Sequence, residues 1–306
     1  MRAACPEWTD VRGERRRLRG PAVSTVRAVG NDSRTIAFSL LGPLTASVGE
    51  EPVAIEGRRQ RVVLALLVLA RGRAVPADVL ARAVWGEHPP VSARTHLALC
   101  VRALRRAFRA AGHPGPLITT AHPGYRLHTD GVGVDAQDFE ALVDAACEAA
   151  GRSDREETAA LCRRALALWK GPALEDAGGR VAGPDARHLE ERRRTACEVL
   201  LAIGRRQAED GYFEEAEDSL RDAAAAADAM AEPCLAAEAH LALARLCGTL
   251  YRTAEARRHL WSATCAFRVA GLATGEARAE AEALRLTERP TAALGPLGLI
   301  PRQSKR

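Results

Sequence analysis

Residues 94–128 read RTHLALCVRALRRAFRAAGHPGPLITTAHPGYRLH, and this stretch decides the fold of the first half of the chain. At about 100° per residue, its first part carries one apolar stripe, which predicts the buried face of a helix over residues 93–110. The stripe consists of Leu97, Val101, Leu104 and Phe108. Glycine and proline end the helix, and two extended pieces, 117–120 and 125–128, predict a β-hairpin that turns at His122-Pro123-Gly124.

A second face of the same helix is rich in arginine. The sector of about 120° beside the stripe holds Arg94, Arg102, Arg105, Arg106 and Arg109. The helix contains no acidic residue to neutralise them. Two interpretations remain open here: the arginines form a solvated surface, or they bind a partner that supplies the missing negative charge. The phosphate backbone of a nucleic-acid duplex is such a partner.

Shorter elements precede this helix. The predicted strands are 35–42, 44–48 and 52–55, and the predicted helices are 59–70 and 77–85. Pro76 suits the start of the second helix, and Ser92 is the predicted N-cap of the third. A sheet, three helices and a hairpin follow the order of a winged helix-turn-helix. In that fold the recognition helix enters the major groove and the wing contacts the backbone or the minor groove.

The charge of the chain is unevenly divided. Residues 1–134 contain 20 basic and 10 acidic residues, whereas residues 135–306 contain 24 basic and 29 acidic residues. This asymmetry predicts a polyanionic partner for the first half. A length of 306 residues, with 47% hydrophobic and only 4% aromatic residues, favours two helix-rich domains.

Several classes of protein are disfavoured. The apolar run 62–70 is too short to span a bilayer, and the N-terminus lacks the apolar core of a secretory signal. The eight cysteines form no CxxC pair, so reduced thiols and a cytoplasmic location are expected. His96 and Cys100 lie four residues apart on a helix, but no second pair completes a metal site. No HExxH, GxSxG or GxGxxG motif stands in a supporting context, so we expect no metal, no cofactor and no enzymatic activity.

From residue 135 onward, one helical template recurs three times. A tetratricopeptide unit requires small residues where its two helices cross and larger apolar residues around them. The copies are Leu200, Ile203, Gly204, Ala216, Leu220, Ala223; His240, Leu243, Ala244, Ala256, Leu260, Ala263; and, more weakly, Leu142, Ala145, Ala146, Thr158, Cys162, Ala165. Their unequal offsets predict insertions between the copies, one of them the Gly- and Pro-rich segment 170–184.

Five motifs resemble the actinobacterial antibiotic regulatory proteins, or SARP-type activators. They are GRRQRVVLALL (57–67), WGEHPP (85–90), LRR (104–106), PGYRL (123–127) and ALALWKGPAL (165–174). The resemblance covers about residues 35–270. It implies an OmpR-like winged helix, a bacterial transcriptional activator domain of tetratricopeptide type, binding to direct repeats upstream of a promoter, and contact with RNA polymerase. No ATPase or sensor module is recognisable, so a short-form member is expected. In one departure from the family, Ala98, Leu99 and Cys100 stand where a recognition helix usually carries polar residues.

These observations predict a mostly α protein with a small β component, in which a winged helix-turn-helix domain precedes an all-α domain of tetratricopeptide-like repeats. The expected winged-helix domain spans 35–130 and the expected activator domain spans 135–272. Residues 1–34 are expected to be a disordered basic arm or a misassigned start, and residues 273–306 a C-terminal helix with a flexible tail.

The expected function is transcriptional activation, with secondary-metabolite genes as the expected targets. The predicted contacts with double-stranded DNA are Arg58, Arg59, Arg94, Thr95, Arg102, Arg105, Arg106, Arg109 and Arg126. RNA polymerase and a second protomer paired on the promoter repeats are the other expected partners, and no membrane is involved. One alternative stays open: a helical-repeat protein that senses a peptide or small ligand, with the basic half serving as a docking surface.

Overall fold

The computed structural model describes residues 36–177 and 183–288, which contain seven strands and ten helices. The predicted arm at 1–34 and the predicted tail beyond residue 288 lie outside the described residues.

Two small sheets belong to the first half of the chain. The first contains β1 (Ile36–Ser39), β2 (Thr45–Val48), β3 (Glu51–Pro52) and β7 (Val132–Val134) in the order β3-β2-β1-β7. β1 pairs antiparallel with β2 and parallel with β7. The second contains β4 (Val75–Pro76), β5 (Ile118–Ala121) and β6 (Gly124–Leu127) in the order β4-β6-β5, with antiparallel pairing throughout. The predicted hairpin is therefore present as β5 and β6, and β4 adds a third strand that sequence reasoning missed.

Three helices lie between these strands along the chain: α1 (Arg58–Leu69), α2 (Ala77–Trp85) and α3 (Ala93–Ala110). Each agrees with its predicted range to within one residue. All four residues of the predicted α3 stripe are at most 1% exposed, and Phe108 packs edge-on against Phe38 of β1 with ring centroids 5.9 Å apart. Ser92 occupies the N-cap position of α3, but its hydroxyl accepts no capping hydrogen bond from the first turn. Its predicted role as a side-chain cap is therefore wrong.

The second half of the chain consists of helices that pack as consecutive pairs. They are α4 (Asp135–Gly151), α5 (Arg155–Leu166), α6 (Gly183–Asp210), α7 (Phe213–Ala229), α8 (Pro233–Thr249), α9 (Thr253–Val269) and α10 (Ala273–Glu288). Each copy of the sequence template falls on one pair, and most of its residues are buried. Gly204 shows why the template needs a small residue, because a Cβ there would lie 2.8 Å from Cγ of Leu220.

A carboxylate joins the two halves at the start of α4. Asp135 accepts hydrogen bonds from the Ser39 hydroxyl at 2.6 Å and from the backbone N–H groups of Leu40 and Leu41 at 2.7 and 3.3 Å. Leu40 and Leu41 are at most 1% exposed, so without this carboxylate their N–H groups would lose their acceptor in the interior. Asp135 therefore holds the end of β1 against the helical half.

A second connection comes from residues 170–177, within the segment 170–184 that the sequence predicted to be an insertion. Two backbone N–H groups of this segment donate to carbonyls of the β1–β2 loop at 2.7 and 2.9 Å. The Asp176 carboxylate accepts from the backbone N–H of Leu44 at 2.7 Å and pairs with the Arg61 guanidinium at 2.6 Å. The winged helix and the helical half thus belong to one compact unit.

Candidate nucleic-acid interface

One face of α3 packs in the core, and the opposite, outer face is open to solvent. Arg94, Arg102, Arg106 and Arg109 are all exposed on this face. No acidic side chain among the described residues forms a salt bridge with any of the four, and α3 has no acidic residue in its first turn. The helix therefore presents concentrated positive charge that the described part of the chain does not neutralise.

Several arginines of the helical half form salt bridges with acidic side chains. Arg205 and Arg278 both pair with Glu238, at 2.5 and 2.6 Å, and Arg155 pairs with Asp210 at 2.8 Å. Partial burial by itself would raise the pKa of Glu238, but the guanidinium groups of Arg278 and Arg205 lower it below its usual value. On α3, by contrast, four exposed arginines of one helix face form no salt bridge with the described residues.

Arg105 has a different environment from the other arginines of α3. Its Nε donates to the backbone carbonyl of Ile118 at 2.8 Å, and its Nη2 donates to the Thr120 hydroxyl at 3.2 Å. Both partners belong to β5, and Arg105 is partly buried. Arg105 thus connects α3 to the hairpin, a contact that its place in the arginine sector did not reveal.

The hairpin β5–β6 carries the predicted Arg126, which is exposed on β6 beside a tip formed by His122 and Pro123. Gly124 follows the tip at the point where β6 pairs with β4, opposite Pro76. A Cβ at Gly124 would lie 1.9 Å from the carbonyl oxygen of Val75, a separation that no side chain can adopt. The glycine of the PGYRL motif is therefore required by the close approach of two strands.

The start of α1 contains the remaining predicted residues, Arg58 and Arg59, both exposed. The N-cap is Gly57, which offers no side-chain acceptor, and the first turn contains no acidic residue. Backbone N–H groups at such a terminus have no intrahelical acceptor and favour an anion. The Arg59 guanidinium lies over the Trp85 ring, 5.5 Å from its centroid, which links this terminus to the end of α2.

His96 and Cys100, the metal-like pair of the sequence, lie on α3. Burial raises the pKa of the Cys100 thiol, against the opposing effect of nearby Arg59, so the metal-binding thiolate form is disfavoured. The His96 ring packs beside Trp85 with centroids 6.1 Å apart. Across the described residues there is no group of three or more His, Cys, Asp or Glu side chains suited to a metal ion.

Between residues 36 and 288, none of the described helices combines the length and apolar character that crossing a membrane requires.

The winged helix, the arginine face of α3 and the paired helices define a regulatory protein of the winged helix-turn-helix class. Two family comparisons agree with this geometry. The family described as "Transcriptional regulatory protein, C terminal" matches residues 51–127, and the family described as "Bacterial transcriptional activator domain" matches residues 134–207.

Three named relatives are similar over about half of the chain. The chain is 36% identical over 172 residues to "Regulatory protein DnrI" of Streptomyces peucetius, covering 54% of this chain and 63% of DnrI. It is 37% identical over 144 residues to "Transcriptional regulatory protein EmbR" of Mycobacterium tuberculosis, covering 47% of this chain and 37% of EmbR. "Regulatory protein AfsR" of Streptomyces coelicolor is 32% identical over 188 residues, which are 60% of this chain and 18% of AfsR. The chain is thus similar to SARP-type transcriptional regulators, and it spans less than two thirds of the length of each of these relatives.

A solved structure is similar as well. It is titled "Mycobacterium tuberculosis EmbR in complex with low affinity phosphopeptide" and superposes with a TM-score of 0.58 at 26% identity, covering 83% of this chain and 65% of that one. The similarity supports the architecture of a winged helix followed by a helical domain.

Proposed function

We propose that this protein is a sequence-specific DNA-binding transcriptional activator, with α3 as the recognition helix and β5–β6 as the wing. The arginine face of α3 carries this proposal. It is exposed, it lies beside the wing, and it has no acidic partner among the described residues. The major groove of B-DNA admits an α-helix, and the flanking phosphates supply the complementary charge.

The contacts divide by position. Arg94 and Thr95 lie in the first turn of α3 and Arg102 lies near its middle, where a recognition helix reaches base edges. Arg106 and Arg109 lie nearer the C-terminal end, where phosphates are closer.

Outside α3, Arg58 and Arg59 at the start of α1 bind the backbone beside the groove, and Arg126 binds it from the wing. Arg105 contributes charge to the same surface while its hydrogen bonds to β5 hold the wing against α3.

Activation requires a second surface, and we assign contact with RNA polymerase to the helical half. Support comes from the match to the bacterial transcriptional activator domain, which covers α4, α5 and most of α6. The junction made by Asp135 and Asp176 transmits the position of the winged helix on DNA directly to these helices. Two protomers bound to direct repeats would then present two helical surfaces in one orientation. The similarity to SARP-type regulators makes the genes of a secondary-metabolite cluster the proposed targets.

The test begins with full-length protein and a pool of random DNA duplexes, from which bound sequences are enriched. The affinity for the enriched duplex is then measured by fluorescence anisotropy over a range of salt concentrations. Replacing Arg106 or Arg109 with Ala should weaken binding to all sequences and reduce the slope of log Kd against log salt by about 0.9 per lost phosphate contact. Arg257→Ala is the matched control, because Arg257 is also exposed but lies on α9.

Equal salt slopes for the wild type, the α3 variants and the control would remove α3 from the interface. Failure to enrich any duplex would instead favour the alternative of a helical-repeat protein that senses a peptide or small ligand.

A further inference from the structure

One ridge of α3 points directly away from the core. Thr95, Leu99, Arg102 and Arg106 recur at i, i+4, i+7 and i+11, so at about 100° per residue they align on the side opposite the buried stripe. All four are exposed, and Leu99 is 53% exposed. The ridge therefore carries an apolar side chain, Leu99, near its middle, and its C-terminal half is cationic.

Leu99 is an unusual residue for the exposed middle of a recognition helix, because its side chain cannot form a hydrogen bond. Exposed Ala98 lies next to it, so two successive residues in the middle of the helix present only hydrocarbon. Unneutralised arginines lie on the same face, at Arg94 and Arg102. An apolar protein partner covering Leu99 would have to desolvate these charges, which is costly. The partner must therefore combine dense negative charge with a small apolar group.

A DNA major groove has this combination. Each base pair presents hydrogen-bonding groups there, and thymine alone adds a C5-methyl group, which aliphatic side chains contact. Phosphates on either side of the groove neutralise the flanking arginines. We propose that Leu99 and Ala98 read thymine through its C5-methyl group, with Arg102 and Arg106 anchoring the same ridge on guanine edges or phosphates. This inference rests on the proposed function, because it requires α3 to lie in the major groove.

Uracil substitution tests the inference, because uracil differs from thymine only by the absence of that methyl group. The probe is the duplex enriched by the full-length protein, synthesised with uracil in place of thymine at one position at a time. Loss of a contacted methyl should weaken binding by about fourfold, as expected from the apolar surface of one carbon. The salt dependence should not change, since no phosphate contact is lost.

The Leu99→Ala variant shows which residue contacts the methyl. It should bind the thymine duplex more weakly than the wild type and no longer distinguish uracil from thymine at the affected position, as in a double-mutant cycle. Leu284→Ala is the control, because Leu284 is an exposed leucine on α10, 63% exposed. Circular dichroism checks that both variants fold, which the exposure of both side chains predicts.

Three results overturn the inference. They are an enriched duplex without thymine at any invariant position, a duplex in which no uracil substitution changes the affinity, and a Leu99→Ala variant that keeps the full preference for thymine. In each case specific binding persists, so the proposed function survives. If no duplex is enriched at all, the proposed function itself fails and this inference fails with it.

Discussion

Gly124 provides a sharp test of the wing geometry. Replacing it with Ala places a Cβ 1.9 Å from the carbonyl oxygen of Val75 and 2.8 Å from the backbone nitrogen of Ala77. Both atoms belong to the main chain, so no side-chain rotation relieves the contact. Because Cβ contacts below 3.0 Å essentially never occur, β4 and β6 must separate by about 1 Å.

The loss of stability can be worked out from the contacts that this separation breaks. It removes the pairing of Pro76 with Gly124 and stretches the 3.2 Å hydrogen bond from the Ala77 N–H to the Pro123 carbonyl. Overpacking of this kind costs about 1–3 kcal/mol, and each lost backbone hydrogen bond costs about 1 kcal/mol. We therefore expect Gly124→Ala to lower the free energy of unfolding by about 2–4 kcal/mol, a large part of the total for a typical domain.

The assay is denaturant unfolding of the full-length protein, with Gly133→Ala as the control. Gly133 also lies in a strand of the winged helix, but a Cβ there would be 3.9 Å from its nearest neighbour, an ordinary contact. Gly124→Ala should also weaken DNA binding, because β6 carries the wing arginine. Equal unfolding midpoints for the two variants would refute the close approach of β4 and β6.

Three further predictions concern the helical half. Gly204→Ala should destabilise the protein by about 1–3 kcal/mol, because its methyl would lie 2.8–3.1 Å from α7 side chains, whereas Gly151→Ala meets open space and should be neutral or slightly stabilising in the same unfolding assay. Asp176→Asn should cost about 1–2 kcal/mol, because the charge-assisted bond to α1 is lost; an unchanged unfolding midpoint would count against the junction. Burial, reinforced by neighbouring His240, holds the pKa of His259 below its usual value of 6.5. The unfolded chain then takes up this proton first, so stability should fall as the pH drops below 6.5, and His259→Gln should flatten that dependence in pH-resolved unfolding.

Much of the architecture could be predicted because it depends on local patterns. The periods of apolar residues predicted α1, α2 and α3 to within one residue, and the Pro-Gly turn predicted the hairpin. The helical template was recognisable because helix crossings need small residues at regular spacings. The nine predicted interface residues remain predictions.

The sequence alone therefore predicted which faces of the helices are buried, which are charged, and which family the chain resembles. Tertiary structure alone decided how the pieces connect. The partners of Asp135 and Asp176 lie 94 to 132 residues away, so no local pattern could pair them. The same is true of β7 beside β1 and of β4 beside β6, whose partners are distant in sequence. On the helical projection Arg105 could not be distinguished from the neighbouring arginines. Only the packing of β5 beside α3 places the Ile118 carbonyl where the Arg105 guanidinium donates a hydrogen bond to it. Periodicity reports which side of an element is covered; which element covers it is decided by the packing of the whole chain.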